Sequence, residues 1–240
     1  HLSAWNILAA TRLVNYFGRS PEVDDIKLSP LLLRKGTTAI ALYGLGNIRD
    51  ERLHRTFLQK KVSFLTPNDS ENEWFNVLMF HQNRIPHGKT NYIPEEFLSS
   101  FRLNLVIWGH EHECLPYPQH NPLGDFYVVQ PGSSVATSLC EGESVDKYAI
   151  IINCHNGAFE VEKIQLKSVR RFVIQDIVLK EHSLDPMIDG KQLTNFLAAK
   201  VNSILDELMK ERVENQNDKI PFVRLRVDYT GGYNTINPQC

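Results

Sequence analysis

The chain has 240 residues, of which 42% are hydrophobic, an ordinary share for a folded globular protein. This length accommodates one large domain, or a main domain with a smaller companion. Lysine and arginine (26) nearly balance aspartate and glutamate (28), for a formal net charge of −2. Because the chain has no global basic field, any binding of nucleic acid must use a local basic surface.

The cysteine pattern and the hydropathy exclude several classes of protein. The four cysteines are scattered and form no C-x-x-C pair: Cys114, Cys140, Cys154 and Cys240. This spacing argues against a zinc ribbon or a disulfide framework and fits a reducing compartment, the cytosol or the nucleus. No apolar stretch is long enough to cross a bilayer and no signal peptide opens the chain, so we expect no membrane partner.

The first predicted helix runs from about Leu2 to Val14. The positions of its apolar face, which recur at helical spacing, are Ile7, Leu8, Thr11 and Val14. Such a face usually packs against the protein core, and a contact between subunits is the alternative.

The first predicted strand of the sheet is Thr38–Tyr43. It ends in Gly44-Leu45-Gly46-Asn47, a flexible turn that could cradle a phosphate. The glycine spacing is, however, neither a dinucleotide fingerprint nor a P-loop, so the phosphate interpretation rests on little.

Strands and helices then alternate along the chain. A helix is predicted from Asp50, as its N-cap, to Lys60, and another near Pro94–Phe101. Strands are predicted for residues 74–80, 103–108 and 126–130, and a hairpin with Asn156-Gly157 at its turn for residues 148–166. This pattern is typical of an α/β sheet.

The pattern changes after about Lys167. A strand over residues 170–179 precedes a long amphipathic helix, residues 193–208, a polar linker, residues 214–219, and an alternating strand, residues 223–229. We therefore predict a main domain over residues 1–167 and a second, smaller α/β domain over residues 168–240.

Two of the apolar runs end in histidine. The run before His81 and the run before Gly109-His110-Glu111-His112 are short, aromatic and β-branched, as expected of core strands. Ligands of α/β sheets collect outside the carboxyl ends of the strands. Three imidazoles delivered to one such edge predict a metal site, and Gly109 would let the backbone turn sharply there.

A solvated or capping role is the alternative for any single strand-end histidine. The remaining histidines have no such context and are most simply solvated: His1, His54, His87, His120, His155 and His182. A hydrolytic two-metal site also needs carboxylates, one of them bridging the two ions. No Asp-x-His or Gly-Asp pair follows a strand, because Asp50 is predicted at a helix start and Asp125 precedes a strand.

Several segments resemble the eukaryotic Mre-eleven nuclease family. The segment His81-Gln82-Asn83-Arg84, with His87-Gly88 and Thr90–Glu95 behind it, is similar to a phosphoesterase motif of that family, and Trp108–Cys114 is similar to its final metal motif. The match extends over essentially the whole chain, and its further segments are Asn15–Arg19, Ala41–Gly44, Gln130–Leu139 and Arg224–Tyr229.

The resemblance implies a calcineurin-like metallophosphoesterase sandwich, truncated at its N-terminus, with part of a capping, DNA-binding domain. It implies two manganese ions that cleave DNA at double-strand breaks, as a 3′-to-5′ exonuclease and an endonuclease, in the nucleus. By motif, His81 and His110 would serve one manganese and His112 the other. The implied partners are DNA ends, a second copy of the chain, the Rad-fifty ATPase and the Nijmegen breakage protein.

The resemblance also implies roles outside the metal site. It places a dimer contact on the opening helix, at Ile7, Thr11 and Val14. The residues in the loop behind the first metal histidine could touch DNA phosphates, or could form a solvated loop: Asn83, Arg84, His87 and Lys89.

The acidic metal motifs of the family, Asp-x-His, Gly-Asp and Gly-Asn-His-Asp, would precede His1, and the capping domain would be cut short after Pro238. We therefore expect no complete catalytic set in this chain and no activity of the chain alone. The alternatives are a metallophosphoesterase acting on small phosphoesters or phosphoproteins, and a non-catalytic fragment that dimerises or binds DNA.

Overall fold

The computed structural model describes residues 4–67, 73–210 and 219–236. Three α-helices are present in this part of the chain: α1 (Ala4–Ala10), α2 (Asp50–Leu58) and α3 (Gly190–Lys210). The strands are β1 (Ile26–Leu28), β2 (Leu31–Lys35), β3 (Thr38–Leu45), β4 (Val62–Phe64), β5 (Phe75–His81), β6 (Leu105–Gly109), β7 (Leu115–Asn121), β8 (Phe126–Gln130), β9 (Tyr148–His155), β10 (Ala158–Gln165), β11 (Phe172–Val178) and β12 (Phe222–Asp228). No helix within the described ranges is both long enough and apolar enough to span a membrane.

A six-stranded mixed sheet in the order β2-β3-β5-β6-β8-β7 confirms the predicted α/β class. Strands β3, β5, β6 and β8 run parallel, and the edge strands β2 and β7 are antiparallel to their neighbours. Parallel strands are buried on both faces, which explains their nearly continuous apolar sequences. Their common direction brings the ends of β5 and β6 to one edge of the sheet.

Both faces of this sheet are covered. On one face, Trp108, Phe126 and Tyr43 are almost fully buried in the largest apolar cluster, together with Leu53 of α2. On the other face, the β9–β10 hairpin covers a smaller cluster that includes Phe75 and its ring contact with Phe159. The two strands that carry the histidines are therefore fixed from both sides.

The hairpin confirms the prediction made from its turn. Asn156 and Gly157 have φ values of 45° and 80°, as a two-residue hairpin turn with both central residues left-handed requires.

The chain divides into two compact units. The first consists of residues up to Ser133 together with Tyr148–Ile164, and the second of Ser134–Lys147 and the residues from Gln165 onward. In the second unit, β11 and β12 pair in parallel and α3 connects them, as the predicted strand, helix and strand require. A separate apolar cluster, with Ile177, Leu179 and Leu193 at its centre, packs this unit. The predicted linker lies outside the described residues apart from Lys219.

Two predicted helices are wrong in extent. The opening helix ends at Ala10 and not at the predicted Val14. Arg12, with a φ of 58°, has the left-handed backbone conformation that ends helices. The predicted start at Leu2 lies outside the described residues. The predicted helix near Pro94–Phe101 is only a 3₁₀ turn, Glu95–Leu98. Its backbone hydrogen bonds connect residues three positions apart, as in a 3₁₀ turn, and Leu98 is buried in the core.

Candidate metal centre

The strand register brings two of the predicted metal ligands together. His81 is the last residue of β5 and lies opposite Gly109, the last residue of β6, so that His110 follows directly beside it. Nε2 of His81 and Nδ1 of His110 are 3.2 Å apart. The two ring planes are nearly perpendicular, at 89°, with their centroids separated by 5.0 Å. The two imidazoles therefore converge on one point at the carboxyl edge of the sheet.

Gly109 supports this pair in a different way from the one predicted. The left-handed backbone, with a φ of 88°, belongs to His110 and not to Gly109. A Cβ atom at Gly109 would lie 3.0 Å from Nδ1 of His81 and 3.3 Å from the Phe80 carbonyl oxygen. Glycine is thus needed at this position for the close approach of the His81 ring, while His110 takes the strained turn itself.

The electrostatic surroundings favour the neutral form of His81. Burial lowers the pKa of His81, and His110 and His112 lower it further by charge repulsion, against an opposing effect of Asp50. A neutral imidazole has a free lone pair, and that is the form which binds metal ions.

His112 lies on the same turn, two residues after His110. Its side chain is exposed, and its backbone carbonyl accepts hydrogen bonds from the amide and the hydroxyl of Ser133, at 3.1 and 3.3 Å. Its charge contributes to the lowered pKa of His81.

The pair fits two positions in the coordination shell of a metal ion. Two imidazole nitrogens that are each about 2.1 Å from one ion, at roughly a right angle, lie about 3 Å apart. The observed 3.2 Å between His81 and His110 matches that spacing. Within the described ranges, however, no group of three or more histidine, cysteine or acidic side chains has the arrangement to hold a metal ion. The described residues thus offer two converging donors and no third at the same point.

An acidic residue that sequence reasoning assigned elsewhere lies beside this edge. Asp50 was predicted as the N-cap of its helix, but Arg49 occupies that position without a side-chain cap, and Asp50 is the first helical residue. Its carboxylate accepts hydrogen bonds from Gln82 Nε2 at 2.7 Å, from Asn83 Nδ2 at 2.9 Å and from the Asn83 amide at 3.1 Å. This contact spans more than 30 residues, and no local pattern could have predicted it.

Gln82 anchors the segment that follows His81. Its buried side chain exchanges two hydrogen bonds with the backbone of Ile48, and the backbone carbonyl of Gln82 accepts one from the indole of Trp108 at 2.9 Å. These bonds connect the segment after β5 both to the loop before α2 and to β6. The backbone behind His81 is therefore held on two sides.

The four residues predicted to touch DNA separate into two groups. Asn83 and Arg84 face the protein: Asn83 binds Asp50 and the Asn91 carbonyl, and the Arg84 guanidinium binds Glu95 and two glutamines. His87 and Lys89 are exposed on the loop. Only the second pair presents its side chains to solvent, where a phosphate could reach them without breaking existing bonds.

The residues predicted at a dimer contact lie on or just after α1. This helix buries none of its described residues, so the core-packing interpretation of its apolar face is not supported. Ile7 is 63% exposed, Thr11 directs its hydroxyl to the carbonyls of Ile7 and Leu8, and Val14 is half-buried.

One histidine predicted to be solvated is buried. His54 on α2 is only 8% exposed and packs edge-on against Phe97 at a centroid distance of 5.0 Å. Its Nδ1 has no hydrogen-bond partner within the described residues. His54 lies on the face of α2 that packs against aromatic side chains. The spacing of the histidines in the sequence does not reveal this position.

The fold and this edge define a mixed α/β protein with a histidine pair at the ends of adjacent parallel strands. The chain belongs to the MRE11 family of double-strand break repair proteins. It is 47% identical over 241 residues to "Double-strand break repair protein MRE11" of Mus musculus, covering 98% of this chain and 34% of the relative. It is 48% identical over 244 residues to "Double-strand break repair protein mus-23" of Neurospora crassa, covering 96% and 33%.

A plant protein and a family model also match this chain. The MRE11 protein of Arabidopsis thaliana is 44% identical over 249 residues, covering 100% of this chain and 34% of the relative. Residues 159–240 match the family model described as "Mre11 DNA-binding presumed domain". The chain thus spans about a third of the length of these relatives. The family that the sequence motifs suggested is confirmed.

Proposed function

We propose that the full-length protein is a manganese-dependent DNA nuclease of double-strand-break repair, with 3′-to-5′ exonuclease and endonuclease activity. The observation that carries the proposal is the 3.2 Å approach of His81 to His110 at the carboxyl edge of parallel strands. Two further findings support it: the relatives are named as double-strand break repair proteins, and the matching family model is described as DNA-binding.

In this proposal residues 1–167 belong to a calcineurin-like metallophosphoesterase domain, and residues 168–240 belong to a capping domain that contacts DNA. His81 and His110 would hold one manganese ion and His112 the other. A divalent ion held by these residues would supply Lewis-acid chemistry toward the phosphodiester. The chain's own residues would orient the imidazoles, and burial of His81 lowers its pKa and so favours its neutral form.

The proposed partners are DNA ends, a second copy of the chain, the Rad-fifty ATPase and the Nijmegen breakage protein, with the nucleus as the location. The exposed α1 helix supports the dimer part of this proposal, because its apolar residues have no partner in the core.

Replacing His110 in the full-length protein tests the proposed function. We expect His110→Ala to abolish manganese-dependent cleavage of DNA ends, because one of the two converging nitrogens is lost. The matched control is His120→Ala, which removes an exposed imidazole bound to Asp125 at the other edge of the sheet. Cleavage by the His110 variant at the wild-type rate would contradict the assignment.

For the isolated 240-residue chain we expect weak manganese binding and no cleavage. The reason is that the described residues bring only two donors to one point. Titration calorimetry that finds two tight manganese sites on this chain would refute the expectation.

A further inference from the structure

Glu111, the residue between the two histidines of the turn after β6, connects that turn to the segment after β5. Its Oε1 accepts a hydrogen bond from the Arg84 amide at 2.7 Å and another from the Ile85 amide at 3.0 Å. Hydrogen bonds from backbone amides to a carboxylate are charge-assisted and stronger than neutral ones. One side chain thus connects the segment that begins with His81 to the turn that carries His110 and His112.

Arg84 makes a second connection between the same two segments. Its guanidinium binds Glu95 through Nε and Nη2, at 2.9 and 2.7 Å, and Gln130 Oε1 through Nη1, at 3.0 Å. Gln130 in turn donates from Nε2 to the carbonyl of Glu113, at the end of the histidine turn, at 3.1 Å. The Arg84 side chain is only 15% exposed, so this is an internal network and not a surface ion pair.

The turn that these bonds hold is strained. A non-glycine residue with a φ of 88°, as at His110, costs about 1–3 kcal/mol and persists only where the surroundings fix it. The His81 ring opposite has little room beside Gly109. A small movement of either segment would therefore change the distance between the two ring nitrogens.

We propose that Glu111 is a positioning residue that locks the His81 segment onto the strained His110 turn and so sets the spacing of the two imidazoles. Arg84 reinforces the same lock through Gln130. The role of this lock in metal binding rests on the proposed function, whereas the lock itself is a property of the fold. Loss of groups that orient metal ligands typically lowers metal affinity about 10–100-fold.

Three variants of the full-length protein test the role of Glu111. We expect Glu111→Ala to raise the manganese concentration for half-maximal cleavage about 10–100-fold, with the maximal rate recovered at saturating manganese. Glu111→Gln keeps an oxygen acceptor for both amides and should restore the half-maximal concentration to within about threefold. Glu113→Ala is the matched control, because it removes the same charge from the same turn and leaves intact the backbone carbonyl that binds Gln130.

Hydrogen exchange measured by mass spectrometry on peptides covering Arg84 and Ile85 tests the lock without metal. Faster exchange in Glu111→Ala than in wild type, with protection retained in Glu111→Gln and Glu113→Ala, supports the lock. Unchanged exchange in Glu111→Ala overturns it. Equal manganese dependence in the two alanine variants overturns its role in metal positioning. If wild type shows no manganese-dependent cleavage, the proposed function fails, and the exchange result still decides on the lock.

Discussion

At the scale of single residues, two glycines matter because of what packs against them. At Gly109 an added Cβ would press on the His81 ring, at 3.0 Å from Nδ1. At Gly18, which has a φ of 82°, an added Cβ would lie 2.7 Å from the carbonyl carbon of Gly44. The sequence suggests that Gly44 and Gly46 could cradle a phosphate, but Gly44 is part of β3, and Gly46 donates its amide to the Gly18 carbonyl. Close backbone packing accounts for them.

Replacing Gly109 with alanine should weaken metal binding more than it weakens the fold. The new methyl group requires the His81 ring to move by a few tenths of an ångström, which changes its spacing to His110. In the full-length protein, the manganese concentration for half-maximal cleavage should rise about tenfold or more. Gly190→Ala is the control, since its Cβ would meet only Ile236 at an ordinary 3.6 Å. An unchanged manganese dependence in Gly109→Ala would show that the His81 position is not critical.

Replacing Gly18 with alanine should destabilise the first unit through both strain and collision. Gly157 provides the comparison, because its φ of 80° is nearly the same and nothing lies within 4 Å of its added Cβ. We expect Gly157→Ala to cost about 1–2 kcal/mol from backbone strain alone. Gly18→Ala should cost about 1–3 kcal/mol more, because the backbone of Gly44 must move. Urea denaturation of both variants measures the difference, and equal losses would mean that the Gly18–Gly44 approach relaxes freely.

At the scale of elements, the helices and strands predicted most accurately from the sequence are those with a strong hydrophobic periodicity or composition. The buried strands β5, β6 and β8, the helix α3 and the pair β11 and β12 all follow from such patterns. The edge strand β7 was missed because Pro116 and Pro118 interrupt it, although proline is tolerated on edge strands. The three-residue strands β1 and β4 are too short for any periodic signal.

The candidate site shows the same limit. Strand-end histidines can be recognised from sequence because parallel strands end at one edge of the sheet. The contacts of Asp50 with Gln82 and of Glu111 with Arg84 connect residues more than 25 positions apart and have no local signature. Whether a polar residue is available to a ligand depends on such contacts, as the internally bonded Arg84 illustrates.

Helix α1 carries the apolar surface proposed for a contact between two copies of the protein. Trp5 and Ile7 are each more than half exposed, and the described helix buries no residue. We expect Ile7→Asp to weaken dimerisation of the full-length protein at least about tenfold, equivalent to 1.4 kcal/mol. Sedimentation at a series of concentrations measures this change. Leu58→Asp on α2 is the matched control, with 61% exposure against 63% for Ile7. Equal effects of both variants would argue against α1 as the contact.

At the scale of the whole molecule, the charge balance limits how the proposed DNA partner could be bound. With a net charge of −2, the chain cannot attract a phosphate backbone through its overall field. Affinity must come from individual cations near the bound phosphates. Among the four residues predicted to touch DNA, Asn83 and Arg84 are engaged within the protein, while His87 and Lys89 are exposed on the loop that follows His81 in the chain.

Lys89 therefore allows a quantitative test of where DNA passes. Each phosphate that a cation neutralises contributes about −0.9 to the slope of log affinity against log salt concentration. If Lys89 contacts a phosphate, Lys89→Ala in the full-length protein should reduce that slope by about 1 and weaken binding similarly for all DNA sequences. Lys35→Ala, on the exposed edge strand β2, removes the same charge elsewhere and should leave the slope unchanged. Fluorescence anisotropy with a short duplex at several salt concentrations measures both slopes. Equal slopes for wild type and Lys89→Ala would mean that DNA does not pass over the loop behind His81, and that phosphate contacts must be sought on another surface.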